Sequence, residues 1–201
     1  MTAANAARPQ GRLQRSPDWT GGRLETFRAV VLRHGLPGAL LGMLGLVVAL
    51  NYPPVADFAR CAITPAAAEP LRYLLGGLIL LALFCLHAWR RRCLNPPQLA
   101  WTVYLGGLSL WEEWVFRLLA PYAAVALGAD PWLSLLAANI CFGLLHYVTL
   151  RWKWYWCACA GLGGLALSLH FETNFDLLWI AALHWIGTFL NTPQPPSGTA
   201  D

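Results

Sequence analysis

Charge is what this sequence has least of: 12% of its 201 residues are Asp, Glu, Lys or Arg, against 57% hydrophobic. That balance excludes an ordinary soluble domain and suits a chain with several membrane-spanning helices. The six cysteines include no CxxC pair, and Cys85, Cys141, Cys157 and Cys159 fall within apolar runs, where cysteine acts as a small hydrophobe. Neither a disulfide framework nor a metal knuckle is expected. HExxH, the compact zinc-protease motif, is absent. There is no internal repeat of the kind that builds many transporters. The first apolar run also lacks a small-residue cleavage site before the next polar loop, so it is expected to stay as a span rather than be removed as a signal peptide.

What charge there is has a pattern. Six arginines (Arg8, Arg12, Arg15, Arg23, Arg28 and Arg33) crowd the first 33 residues. A cytoplasmic anchor explains this arm better than nucleic-acid binding, since no folded nucleic-acid module accompanies it. A helical span needs about 20 mainly apolar residues. Segments at roughly 35–52, 71–89, 98–128, 132–150, 154–170 and 177–192 meet that need, giving an all-α, polytopic transmembrane bundle of about six spans. The third is long and contains Pro121, so a kink, or a break near Gly106-Gly107, is expected. With six spans the arm, Arg90-Arg91-Arg92 and Arg151/Lys153 share the cytoplasmic side, and both termini lie inside. Asp57, Glu69, Asp130, Glu172 and Asp176 fall opposite, with only Arg60 and Arg72. The run RWKWYW (151–156) reads as an aromatic belt at the membrane–water boundary. The chain therefore divides into a basic arm (1–34), a transmembrane domain (35–192) and a proline-rich, disordered tail (193–201). An inner (cell) membrane location follows, with the lipid bilayer as a partner and no nucleic acid.

Inside the spans, SLWEEWVFR (109–117) is the exception. Ionisable groups within a membrane are costly and by default mark function. Glu113 and Arg117 are four residues apart and can pair on one helix face. Glu112 points about 100° away and is left without that partner. On two other apolar segments, His146 follows Phe142 by one turn, and His184, Thr188 and Asn191 form one stripe. His34 and His170 fall near interfaces and His87 beside Arg90, so these three are expected to be ordinary packing residues. Counting about 1.5 Å per residue, Glu112 and His146 come out level at about 20–24 Å below the outer face. On the same count Asn191 is level with them and His184 about 10 Å shallower.

EEWVFR fits EExxxR, FGLLH fits FxxxH, and HWIGT is close to HxxxN, in order on successive apolar segments. Over roughly 100–192 the chain thus resembles the CPBP family, intramembrane glutamic proteases related to CAAX prenyl endopeptidases and bacteriocin-processing proteins. The resemblance implies that Glu112 and His146 activate a water and that His184 donates to the oxyanion. Glu113 and Arg117 complete the first motif as supporting residues. Thr188 stands where the family has asparagine. Its hydroxyl can still donate a hydrogen bond, and Asn191, one turn on, is the alternative donor. No metal or cofactor is implied. The implied substrate is a membrane-anchored protein or peptide, such as a prenylated CAAX tail, a bacteriocin leader, a membrane-bound regulator or a short C-terminal sorting signal. The small size of the chain leans toward the last, the myxosortase-like group.

Three other readings compete. Glu112, His146 and His184 could form a His₂Glu zinc site. The buried charges could instead serve a small transporter or assembly factor. A cysteine protease on Cys141 is disfavoured, because Cys141 and His146 are five apart on one helix and face different ways.

Overall fold

The computed structural model describes residues 13–15 and 26–196. Among them the architecture is all-α, a bundle of seven helices with no sheet. They are α1 (Phe27–Asn51), α2 (Pro53–Ala68), α3 (Pro70–Arg90), α4 (96–126), α5 (Pro131–Thr149), α6 (Trp154–Asn174) and α7 (Leu177–Asn191). Their starts are written in the sequence. Prolines stand in the first turns of α2, α3, α4 and α5, where the missing N–H costs nothing. The side chains of Asn95, Asp130 and Asp176 accept from Gln98 N, Leu133 N and Trp179 N and cap α4, α5 and α7.

Six helices coincide with the apolar runs, and α1, α3 and α5 are each long and apolar enough to cross a membrane. Leu40, Leu44, Leu50, Leu71, Leu74 and Ile79 all face outward, each more than half exposed, a surface that suits lipid rather than water. The seventh helix, α2, was not expected; Asp57, Arg60 and three prolines make 53–69 look like a loop. It is helical because one face is apolar. Val55 and Ala62 are buried, and Ala62, Phe58 and Ala59 pack on Leu118, Tyr122, Phe171, Leu177 and Ile180.

Two prolines inside apolar runs leave a common mark. The long third segment is one helix, without a break at Gly106-Gly107, but its turns at Trp114–Leu119 widen to a π-helix just before Pro121. In α1 the turn Val31–Gly35 does the same just before Pro37. A proline ring collides with the carbonyl four residues back, here Arg117 and Arg33, and the wider turn relieves the collision without ending the helix. Both widened turns adjoin the buried polar residues.

The helix ends sort by charge. At one end Arg15 N–H donates to Arg151 O at 2.9 Å, Trp101 Nε1 to Thr192 O at 2.8 Å and Gln98 Nε2 to Pro193 O at 2.7 Å. The other end joins Tyr52 to Ala126 O at 3.2 Å, Tyr122 to Glu172 at 2.8 Å, and Tyr73 to Asp176. Part of the basic arm is helical: α1 already begins at Phe27, capped by Thr26, so 27–34 belong to the first helix. The rest of the arm, 1–12 and 16–25, and residues 197–201 of the tail lie outside the described residues.

α5 and α6 approach most closely at glycines, as membrane helices do where small residues let backbones meet. A Cβ on Gly143 would stand 2.8 Å from the Cys157 carbonyl oxygen, which is backbone and cannot swing away. Gly143→Ala should therefore lower stability by about 1–3 kcal/mol, read as a drop in melting temperature in detergent; an unchanged melt would show that the helices can part freely.

Candidate active site

α4 carries the two carboxylates on adjacent faces, both buried. One turn beyond Glu113, Arg117 Nε lies 3.1 Å from Glu113 Oε2, the expected ion pair, with neither side chain exposed. The guanidinium sits over the Phe142 ring at 4.6 Å and against Gly164, where a Cβ would fall 2.6 Å from Nη2. His184 Nδ1 holds the other oxygen of Glu113 at 2.7 Å. Glu113 is thus fixed from two sides.

Glu112 is not left without partners. His34 Nε2 lies 2.9 Å from Oε1, His146 Nε2 4.0 Å from Oε1, and His184 Nε2 3.6 Å from Oε2. Helices α1, α4, α5 and α7 thus bring three histidines to one carboxylate. His184 is not shallower than Glu112, because α7 begins deep in the bundle beneath α2, with Leu177 and Ile180 buried. His34 is not an interfacial packing residue. Early entry into α1 and the widened turn at Val31–Gly35 place it 1% exposed, against Glu112. A histidine next to Arg33 in a basic arm carries no local signal of burial; the one available hint was Pro37, three residues on, inside an apolar run.

Hydrogen-bond bookkeeping assigns the tautomers. The Thr149 hydroxyl donates to Leu145 O at 2.6 Å, so at 2.7 Å it accepts from His34 Nδ1–H. His34 Nε2 is the ring nitrogen left to face Glu112 Oε1, 2.9 Å away. His146 donates Nδ1–H to Phe142 O at 2.9 Å, which turns the Nε2 lone pair toward Glu112.

Glu112, His34, His146 and His184 line one cavity of about 260 Å³, roomy enough for several waters, together with Thr188 and Asn191. Asn191 is exposed and already donates to Gly187 O at 3.0 Å. Thr188, one turn from His184, is partly buried. Within 151–156, Trp154 and Tyr155 face outward, as belt residues would. Trp152 and Trp156 instead line the cavity, and the Trp152 ring lies 4.8 Å from that of His146. Arg151, with φ 56°, turns the chain back over the end of α5 and causes this. Cys141 is exposed while His146 is buried, so no cysteine–histidine pair forms there. His87 packs edge-on against Phe189, and His170 accepts from Trp179 Nε1 at 2.9 Å on the exposed side. For a metal, the compact set is His34, Glu112 and His146, whose ligand atoms lie within 4.8 Å of one another, and not the set with His184.

No protein-family model, curated protein or solved structure matches this chain.

Proposed function

We propose that this protein is an intramembrane endopeptidase of the CPBP kind, hydrolysing a peptide bond of a membrane-anchored protein or peptide. One observation carries the reading: a buried carboxylate, Glu112, within 4.0 Å of histidines from three other helices, in a cavity with room for several waters. In this account six helices cross the inner membrane, α2 lies along the outer side, and the basic end, with both termini, faces the cytoplasm. Glu112 and His146 Nε2 take a proton from a water as its oxygen bonds to the scissile carbonyl carbon. His184, braced by Glu113, and the Thr188 hydroxyl donate to the oxyanion. The proton then passes to the departing amide nitrogen as the C–N bond breaks. His34, 2.9 Å from Oε1, orients that carboxylate.

Two variants divide these roles. Thr188→Val keeps the shape and removes the donor, so it should slow cleavage of a membrane-anchored reporter by about 10²–10³-fold. Asn191→Ala, whose amide already bonds to its own helix, should be much milder; the reverse ranking would move the donor to Asn191. His34→Leu should lower the rate by about 10–100-fold, with His34→Gln retaining part of it as a neutral hydrogen-bonding group. Equal rates for His34→Leu and wild type would remove His34 from the site.

A second reading is favoured by one feature. His34 and His146 both give their Nδ1–H to fixed acceptors, the arrangement that presents Nε2 to a zinc ion. A zinc hydrolase on His34, Glu112 and His146 would lose activity on chelation, and the glutamic protease would not.

A further inference from the structure

Besides the helices, the described residues hold one isolated antiparallel bridge. Leu13–Arg15 run antiparallel to Arg151–Lys153, with Gln14 bridged to Trp152. Arg15 N–H donates to Arg151 O, and Lys153 N–H to Leu13 O, each at 2.9 Å. The strip 151–153 starts two residues after α5 ends, at Thr149, and Trp152 packs on the ring of His146. Leu13, 1% exposed, and Gln14 line the same cavity as Glu112, His146 and His184. Arg15 lies over the Tyr147 ring at 4.0 Å and donates from Nη2 to Tyr147 O at 2.9 Å.

We infer that the backbone strip Arg151–Lys153 is a strand-addition site for an extended peptide bearing an apolar residue and, two positions on, a basic one, and that Leu13–Arg15 of the same chain hold this site against such a peptide. The substrate side of this inference rests on the endopeptidase reading; the binding side does not. Peptide bonds inside a helix are shielded by the helix itself, so a membrane-anchored substrate must be held extended before water can reach its carbonyl. Strand addition does this through main-chain hydrogen bonds, with side-chain pockets supplying selectivity. The pocket filled by Leu13 selects the apolar residue. The Tyr147 ring and carbonyl select the basic one.

The test uses the full-length protein in lipid nanodiscs and a labelled synthetic peptide, PQGRLQRSPDWT, copied from residues 9–20. Leu13→Asp/Arg15→Pro in the protein removes the apolar plug and the donating N–H from the tethered segment. Since a tethered segment competes at an effective concentration in the millimolar range, the double variant should bind the peptide at least about ten-fold more tightly than wild type, by fluorescence anisotropy. The same peptide with its leucine changed to aspartate should not bind. Adding Lys153→Pro, at a residue whose φ is already −63°, removes the strip's donor without a change of backbone angle and should weaken binding again. Equal binding to wild type and the double variant, or no binding to the double variant at millimolar peptide, overturns the inference. If binding follows the expected order, the double variant should also cleave a membrane-anchored reporter about ten-fold faster at low substrate. Binding as expected with no cleavage by any variant would leave the strand site standing and sink the endopeptidase reading instead.

Discussion

Glu112→Gln should abolish cleavage and leave the fold intact. The amide keeps the size of the carboxylate, and its N–H can donate to His34 Nε2, which lies 2.9 Å from Glu112 Oε1. No buried charge is stranded, because Glu113 retains Arg117 and His184. What disappears is the capacity to take a proton from water. His146 alone remains as a base, and the developing imidazolium has no carboxylate beside it. The loss should be about 10³-fold or more, measured with purified variant and membrane-anchored reporter in liposomes, alongside a melting curve that overlays wild type. Near-normal cleavage by Glu112→Gln would sink the mechanism.

Arg117→Ala should have the opposite signature, loss of folded protein first and of activity only in consequence. The pair with Glu113 is wholly buried, and the guanidinium fills the space between the Phe142 ring and Gly164. Removing it leaves Glu113 charged with only His184 to answer it, and opens a hole where α4, α5 and α6 meet. Breaking a buried pair from one side costs about 3–5 kcal/mol, so the variant should accumulate poorly and melt well below wild type. Arg117→Lys, which restores a charge but not the planar fork, should recover part of that. A variant that accumulates and melts normally yet is inactive would place Arg117 in the chemistry.

The helices and the first set of polar residues were legible in the sequence for one reason. In an apolar run every polar side chain stands out, and helical spacing alone tells which of them share a face. Glu113 and Arg117, four apart, paired as that spacing requires. What spacing cannot supply is register between helices. The position of His184 depends on how deep α7 begins, which depends in turn on α2 covering its first turn. The helical nature of α2 shows only through its partners, since its charges and prolines mask the apolar face. His34 was hidden by its arginine neighbours, and by a reading that starts the first helix at 35 where α1 starts at Phe27. The pairing of 13–15 with 151–153 had no local signal either, being made by backbone groups every residue possesses.

The central claim is that water is activated inside the bilayer by Glu112 and its histidines without a metal. The direct measurement is cleavage of a membrane-anchored reporter by purified wild-type protein in liposomes, in H₂¹⁸O with a strong chelator present, the products read by mass spectrometry. The account predicts undiminished cleavage with one ¹⁸O in the new C-terminal carboxylate, and none of this product from Glu112→Gln. Loss of cleavage on chelation, restored by added zinc, would contradict it and hand the site to a metal held by His34, Glu112 and His146.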